Sequence, residues 1–378
     1  MSTSHPTRRQ LVGATSAVAV LGFAGCGAVH SRPVQPAPQL QLQLRLIGET
    51  RLPHRLQYQG TTVGGLSGID FDAASGVYYL LSDDGGSINA PRFYTARLAL
   101  TNQKLGDVKL TGVTFLQGVN APDPEAIRWH ALSKSLLWTS EGNAARFTAT
   151  ALHQCAADGM LQRTYSLPAM FDFGVLKGAR INKTLEGLAL SHDGRSTWMA
   201  MEAPLLQDGP VPAVEAPGGP CRFTQIDLTS GQILRQIAYA PDAVPQAPLP
   251  AEANADNGVV EVLMLDAHRM LVLERAYMAG LGDRQRNSIR LYMIDTRQAT
   301  DTVNVAALAP GNHTPAAKTL VADFASFPGL PRLDNTEGMC WGPTLLNGNR
   351  TLVFVSDDNF NSRQITQFLA FEFLELRP

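Results

Sequence analysis

Acidic side chains recur in this sequence at the ends of short apolar runs. Asp83, Asp84, Glu125, Glu141, Glu186, Glu202, Glu261, Glu274, Glu337, Asp357 and Asp358 all stand in such places. Glu125 and Glu141, Glu186 and Glu202, and Ser67 and Asp83 are each sixteen positions apart. Carboxylates gathered without cysteine or histidine are hard oxygen donors, which suit Ca²⁺ or Mg²⁺ better than zinc. Crowded carboxylates also repel one another unless cations pair with them. Arginines follow several of the acids: Arg92, Arg146, Arg222, Arg290 and Arg363. The pattern therefore admits two chemistries, ion pairs that lock one unit to the next or a divalent metal site. The doubled acids Asp83-Asp84 and Asp357-Asp358 leave more carboxylate than the arginines can neutralise.

Other chemistries find little support. Gly65-Leu66-Ser67-Gly68-Ile69 breaks the nucleophile-elbow pattern at its last position, and no histidine stands near Ser67. The zincin, Walker and dinucleotide-binding signatures are absent. None of the four cysteines forms a CxxC pair. Cys155 and Cys221 could pair in an oxidising compartment or remain free, and Cys340 lies in an apolar run. His130, His192 and His268 fall in predicted surface turns on the face away from the acids, and Asp283–Arg290 is a small basic cluster that reads as a solvated loop, with part of an anion site as the alternative. With 31 basic and 33 acidic side chains the formal net charge is -2, so no global field draws nucleic acid.

The elements that carry the acids form a repeat. Each unit has an acid and a small residue, an apolar strand, a polar turn, then a second apolar strand ending in acid. The copies open at Ser67-Gly68, Glu125-Ala126, Glu186-Gly187, Glu261-Val262 and Glu337-Gly338. Further strand-like runs follow most hairpins: Arg92–Leu100 and Asp107–Thr114, Arg146–Leu152 and Leu161–Leu167, Arg222–Leu228 and Ile233–Tyr239, Ser288–Ile294 and Thr302–Ala306. Four antiparallel strands per repeated unit predict an all-β fold, a β-propeller of five blades, with six as the alternative. The last unit has only Gln364–Phe373 after its hairpin, so the alternating run Gln41–Thr50 is expected to supply the missing strand and close the ring. Pro204–Pro220 and Pro241–Asn257 read as loops. The first and last residues of a hairpin meet at its open end, and the first strand of each blade lines the channel. The acids should therefore converge on one mouth.

The N-terminus reads as an address. Arg8-Arg9 precede an apolar stretch from Leu11 to Phe23, which ends in Phe23-Ala24-Gly25-Cys26. This is the layout of a twin-arginine-like or general secretory signal over residues 1–26 with a lipobox-like end. Cys26 is the expected lipidation site, and residues 27–39 are a Pro-rich tether. The expected location is the bacterial cell envelope, facing the periplasm, with membrane contact through the lipid anchor only.

Gly65–Phe71 with Leu80–Gly85 (LLSDDG), Asp123–Ile127 (DPEAI), Lys183–Leu188 (KTLEGL), Leu271–Arg275 (LVLER) and Asn335–Met339 (NTEGM), in this order, resemble the bacterial "esterase-like activity of phytase" family. The resemblance runs from about Gly64 to the C-terminus and implies a phytase-like propeller domain, here residues 40–378, that hydrolyses phosphate or carboxylic esters. The RHGxRxP signature of histidine-acid phytases is absent, so that mechanism is not implied. On this reading Asp83, Asp84, Glu141, Glu202, Glu337 and Asp357 hold Ca²⁺ or Mg²⁺. Glu125 and Glu186 are the candidate catalytic bases. Arg92, Arg146, Lys183, Arg222 and Arg275 clamp a small anionic ester. The alternative is a non-catalytic propeller that presents the same face to a ligand or protein partner.

Overall fold

The computed structural model describes residues 41–120 and 122–376. The signal segment 1–26, Cys26 and the tether 27–39 lie outside the described residues. Strands form five four-stranded antiparallel sheets, and these are the blades of a propeller. Blade 1 is Leu66–Asp72, Val77–Ser82, Arg92–Leu100 and Leu105–Phe115. Blade 2 is Pro124–His130, Ser135–Ser140, Ala151–Ala156 and Leu161–Tyr165. Blade 3 is Leu185–Leu190, Ser196–Met201, Cys221–Asp227 and Ile233–Tyr239. Blade 4 is Ala255–Met264, Arg269–Met278, Asn287–Asp295 and Lys318–Asp323. Blade 5 is Asn335–Trp341, Arg350–Asp357 and Gln367–Leu376, completed on its outer edge by Gln41–Arg51, as the N-terminal run predicts.

The first strand of each blade packs against the first strand of the next, and blade 5 returns to blade 1. These five strands surround the channel and are nearly all buried, which explains their apolar sequences. Each carries a β-bulge, near its start in four blades and mid-strand in blade 4. Ser67, the pair Glu125-Ala126, Glu186, Val260 and Glu337 drop out of register with the second strand. A bulge leaves one residue unpaired and re-aims its side chain. The small residue after the bulge has a separate cause. A Cβ on Gly338 would lie 2.8 Å from the Ser67 carbonyl, and one on Gly68 would lie 2.6 Å from the Glu125 carbonyl. The next blade's backbone passes there, so the acid-glycine pair reads out as bulge plus close blade packing.

Four expectations need correction. In blade 2 the third strand is Ala151–Ala156, not Arg146–Leu152, because Ala144–Arg146 turns as a short 3₁₀ helix capped by the Asn143 side chain. In blade 4 the fourth strand is Lys318–Asp323, not Thr302–Ala306. The Thr302 segment is docked on blade 3 instead, its N–H donating to the Gln236 carbonyl at 2.7 Å. The loop read as Pro241–Asn257 ends earlier, since the first strand of blade 4 begins at Ala255. His130 is buried, with its ring against Ser133 Oγ and the Gly194 carbonyl oxygen, 2.7 Å from Nε2. Cys155 and Cys221 are both free and buried, in blades 2 and 3.

Candidate functional site

The bulges and the residues just past the second strands converge on one mouth of the channel. A cavity of about 580 Å³ opens there. Asp83, Glu125, Glu141, Glu186, Glu202, Glu337 and Asp357 line it, together with Lys183 and Arg275. Asp123, Asp256 and Asn335 join them, and the acidic repeat did not single these out. Asp123 was visible as the first residue of the Asp-Pro-Glu run. Asp256 carried no signal, because it lay inside what reads as a loop. Among the described residues, nine carboxylates line the cavity against four cations, Lys183, Arg275, Arg286 and Arg363.

Blade 4 breaks the acidic pattern by one residue. Val260, not Glu261, occupies its bulge, and Arg275, not Glu274, follows at the rim where the other blades place Asp83, Glu141, Glu202 and Asp357. Glu274 faces away and is bonded by Tyr239 Oη at 2.6 Å, Asn257 Nδ2 at 2.8 Å and Lys318 Nζ at 2.6 Å. Arg275 therefore supplies a cation to the mouth, 3.1 Å from Glu337 and 3.8 Å from Glu202. Lys183 sits beside it, 3.2 Å from Glu202 and 3.0 Å from Asp256.

Several predicted site residues are already committed to structure. Asp84 is buried, accepts backbone N–H bonds from Gly86, Ser87, Ile88 and Asn89, and pairs with Arg92 at 2.8 Å. These donors hold its carboxyl below the usual range despite burial. Asp84 is thus no metal ligand, and Arg92, fully buried and also bonded to the Thr62 carbonyl, is no substrate clamp. Arg222 is excluded on the same grounds. It is fully buried, 2.6 Å from Asp208, and bonded to Gln236 and the Val305 carbonyl. Arg146 is exposed in its 3₁₀ turn and lines a neighbouring hollow beside Asp84 and Asn143, not the acidic cavity. Asp358 accepts the Gly65 N–H at 2.9 Å, and Ser67 Oγ donates to the Glu125 carbonyl at 2.8 Å. Glu261 leaves the mouth for Arg128, 2.7 Å away.

The remaining carboxylates are electrostatically frustrated. Burial, and then the neighbouring Glu202, push Glu141 up to about 8. Burial raises Asp123 to about 6 and Glu337 to about 6, the latter restrained by Arg275. Asp83, Glu125, Glu186 and Asp357 are driven well above the ordinary carboxylate range by burial first and by neighbouring carboxylates second, Asp357 for Asp83, Glu186 for Glu125, Glu141 for Glu186 and Glu337 for Asp357. Glu125 is 9% exposed and Glu186 8%; among the described residues neither carboxylate is hydrogen-bonded by a protein donor, and their oxygens open on the cavity. Buried charge without a partner is costly, so such groups neutralise by protonation or bind a cation. Two sets of three carboxylates, Asp123, Glu125, Glu141 and Glu141, Glu186, Glu202, each place one oxygen per residue within 4.8 Å of the others. Their all-oxygen donor set fits Ca²⁺ or Mg²⁺.

The sequence matches, over residues 61–360, the family described as phytase-like, esterase-like activity of phytase. No curated protein matches the chain. Among solved structures, Kuenenia stuttgartiensis hydrazine synthase is similar at 10% identity and a TM-score of 0.35, over 77% of this chain and 64% of that one. A humanized mutant of the Chaetomium thermophilum Polycomb Repressive Complex 2 is similar at 13% identity and a TM-score of 0.37, over 83% of this chain and 70% of that one. The Dos1 propeller follows at 5% identity and 0.33, over 80% of this chain and 66% of that one. Scores this low carry no argument, and the blades rest on the strand pairing itself.

Proposed function

Since the chain belongs to the phytase-like family of esterase-like activity, we propose that it hydrolyses small anionic esters, phosphate monoesters first, at the acidic mouth of its propeller with the help of a divalent cation. The observation that carries this reading is the pair Glu125 and Glu186, buried carboxylates without donors that share a cavity with Lys183 and Arg275. A bound Ca²⁺ or Mg²⁺ would neutralise the carboxylates and polarise an ester oxygen or a water. The chain's own groups do the rest. Lys183 and Arg275 present the only cations that the described part of the cavity pairs with Glu202, Asp256 and Glu337, and they orient the anionic end of the ester. Glu125 or Glu186 accepts the proton of the attacking water. The N-terminal segment, with Arg8-Arg9 and Cys26, delivers the domain to the cell envelope and anchors it there.

A second reading has its own observation. With nine carboxylates against four cations the mouth repels anions until it is neutralised, which suits a cation-binding module without turnover. One assay separates the two. The purified full-length protein is stripped with chelator, and hydrolysis of p-nitrophenyl phosphate and p-nitrophenyl acetate is followed with and without Ca²⁺ or Mg²⁺. Metal-dependent phosphatase activity is expected, with kcat lowered about 100-fold or more in Glu125→Gln or Glu186→Gln. Lys183→Met should raise KM more than it lowers kcat. Absence of turnover of both substrates under every metal rejects the hydrolase and leaves the binding module.

A further inference from the structure

We infer that the hollow beside the acidic mouth receives the alcohol side of the ester, and that this alcohol is aromatic, with Phe360 as the wall on which it stacks. The inference rests on the ester-hydrolase reading above and names the substrate class within it.

The hollow measures about 340 Å³ and shares a wall with the mouth, since Asp83, Asp123 and Asn359 line both. Its other sides are of a different kind. Ile88, Pro122 and Phe360 give it apolar surface, Asn143 a neutral amide and Arg146 an exposed guanidinium. Its position also suits the leaving side of an ester. Lys183 and Arg275 meet over Glu202 and Asp256, at blades 3 and 4. In a ring of five blades, blade 1 stands across the channel from that seam. The hollow lies there, where the loop after Ser82 of blade 1 meets the entry to blade 2. An ester whose anionic end is held by Lys183 and Arg275 points its alcohol across the channel toward it.

Phe360 supplies an independent observation. Its φ is 51° and that of Asn359 is 45°, the left-handed region that a bulky side chain seldom occupies. Neighbouring carboxylates impose it. Asp358 Oδ1 accepts the Gly65 N–H at 2.9 Å and the Phe360 N–H at 3.1 Å, and Asp357 Oδ1 accepts the Asn359 N–H at 2.7 Å. The ring lies against Gly64-Gly65, where an added Cβ would come within 2.8 Å of it. Among the described residues it joins none of the apolar clusters of the core. Strain that the surroundings enforce is typical of ligand clamps, and here it holds a half-buried aromatic ring at the edge of a cavity. Ile88 is fixed as well, its N–H donating to Asp84 Oδ1 at 3.0 Å. A bound aromatic ring gains from stacking on Phe360 and from the Arg146 guanidinium, whereas an alkyl chain gains only its contact area.

Benzylphosphonate and butylphosphonate, which are not hydrolysed as esters, test the hollow by calorimetry on the full-length protein with Ca²⁺ or Mg²⁺ present. Benzyl phosphate and butyl phosphate, whose alcohols have similar acidity, test it by turnover. The benzyl compound should bind about fivefold or more tighter than the butyl compound, and benzyl phosphate should show the same advantage in kcat/KM. Phe360→Gly keeps the turn, because glycine adopts the left-handed conformation freely, and should bring the two ligands to equal affinity. Ile88→Ser, on the exposed edge, should lower the ratio part of the way. Circular dichroism melts show that each variant is folded. A ring with a structural role only would leave the benzyl-to-butyl ratio unchanged in Phe360→Gly. That result, or a ratio near one in the unaltered protein, overturns the aromatic subsite while turnover of either phosphate leaves the hydrolase standing. Preferential benzyl binding without turnover keeps the aromatic site and rejects the hydrolase. Neither binding nor turnover removes both.

Discussion

In the presence of chelator the protein loses thermal stability as the pH rises from about 5 to about 8, the reverse of ordinary carboxylate behaviour. Glu141 at about 8, Glu261 at about 7, and Asp123 and Glu337 at about 6 all titrate higher in the folded chain than in the unfolded one. Asp83, Glu125, Glu186 and Asp357 are raised as well, by burial and neighbouring carboxylates. Between the ordinary carboxylate range and these raised values the native state binds more protons than the unfolded chain, so stability falls with rising pH. The stabilising contribution of proton binding is complete below the unfolded values and lost as pH passes the folded ones. Carboxyls held low by donors and cations, such as Asp84, Asp242 and Asp256, act in the opposite direction, but only below the ordinary range and thus outside this window. A tenfold difference in proton affinity between the folded and unfolded chain corresponds to about 1.4 kcal/mol, so several groups together should lower the melting temperature by about 5 °C or more. Ca²⁺ at about 100 times its dissociation constant should return about 2.7 kcal/mol, and more of it at pH 8 than at pH 5, because protons compete for the same oxygens. Glu125→Gln/Glu186→Gln should flatten the pH slope and remove most of the Ca²⁺ effect. A melting temperature that is constant or rises from pH 5 to 8 in chelator would show that the acids are satisfied by structure.

Arg128→Met should cost about 3–5 kcal/mol of stability in a denaturant melt, the penalty of stranding a buried partner charge. Arg128 is fully buried in the channel below the acidic mouth. Its guanidinium reaches the carbonyls of Ile69 at 2.9 Å, Ile127 at 2.7 Å, and Val262 and Met339 at 3.1 Å. It also pairs with Glu261, which in turn accepts the Leu188 N–H at 2.8 Å. The pair thus touches the first strand of all five blades. Removing the arginine leaves Glu261 without a cation, so the deficit should be smaller at pH 5, where that carboxyl is protonated, than at pH 8. Arg128→Met/Glu261→Leu should recover part of the loss, since an apolar pair of similar size is often as stable as a buried ion pair. A loss under about 1 kcal/mol in the single variant, or no recovery in the double, would mean that the blades hold together without this pair.

Much of the architecture was legible before any coordinates. The hairpin repeat and its spacing are local properties, and they carry the five-bladed reading, the shared mouth of most of the acids and the closing role of the N-terminal strand. What tertiary structure alone decided was the phase of each blade and the partner of each charge. In a strand the side-chain period is two, so a bulge one residue earlier sends Glu261 and Glu274 away from the mouth and brings Arg275 to it. Asp84 and Asp357 look alike in sequence, yet Asp84 meets Arg92 and four backbone N–H groups, whereas Asp357 faces the cavity. Arg222 finds Asp208 in a loop, and Arg128 finds Glu261 across the channel. The sequence by itself determined that an acidic rim exists, because hairpin ends must meet. Which carboxylates remain without a partner depends on distances between blades, and Coulomb energy and desolvation follow those distances rather than positions along the chain.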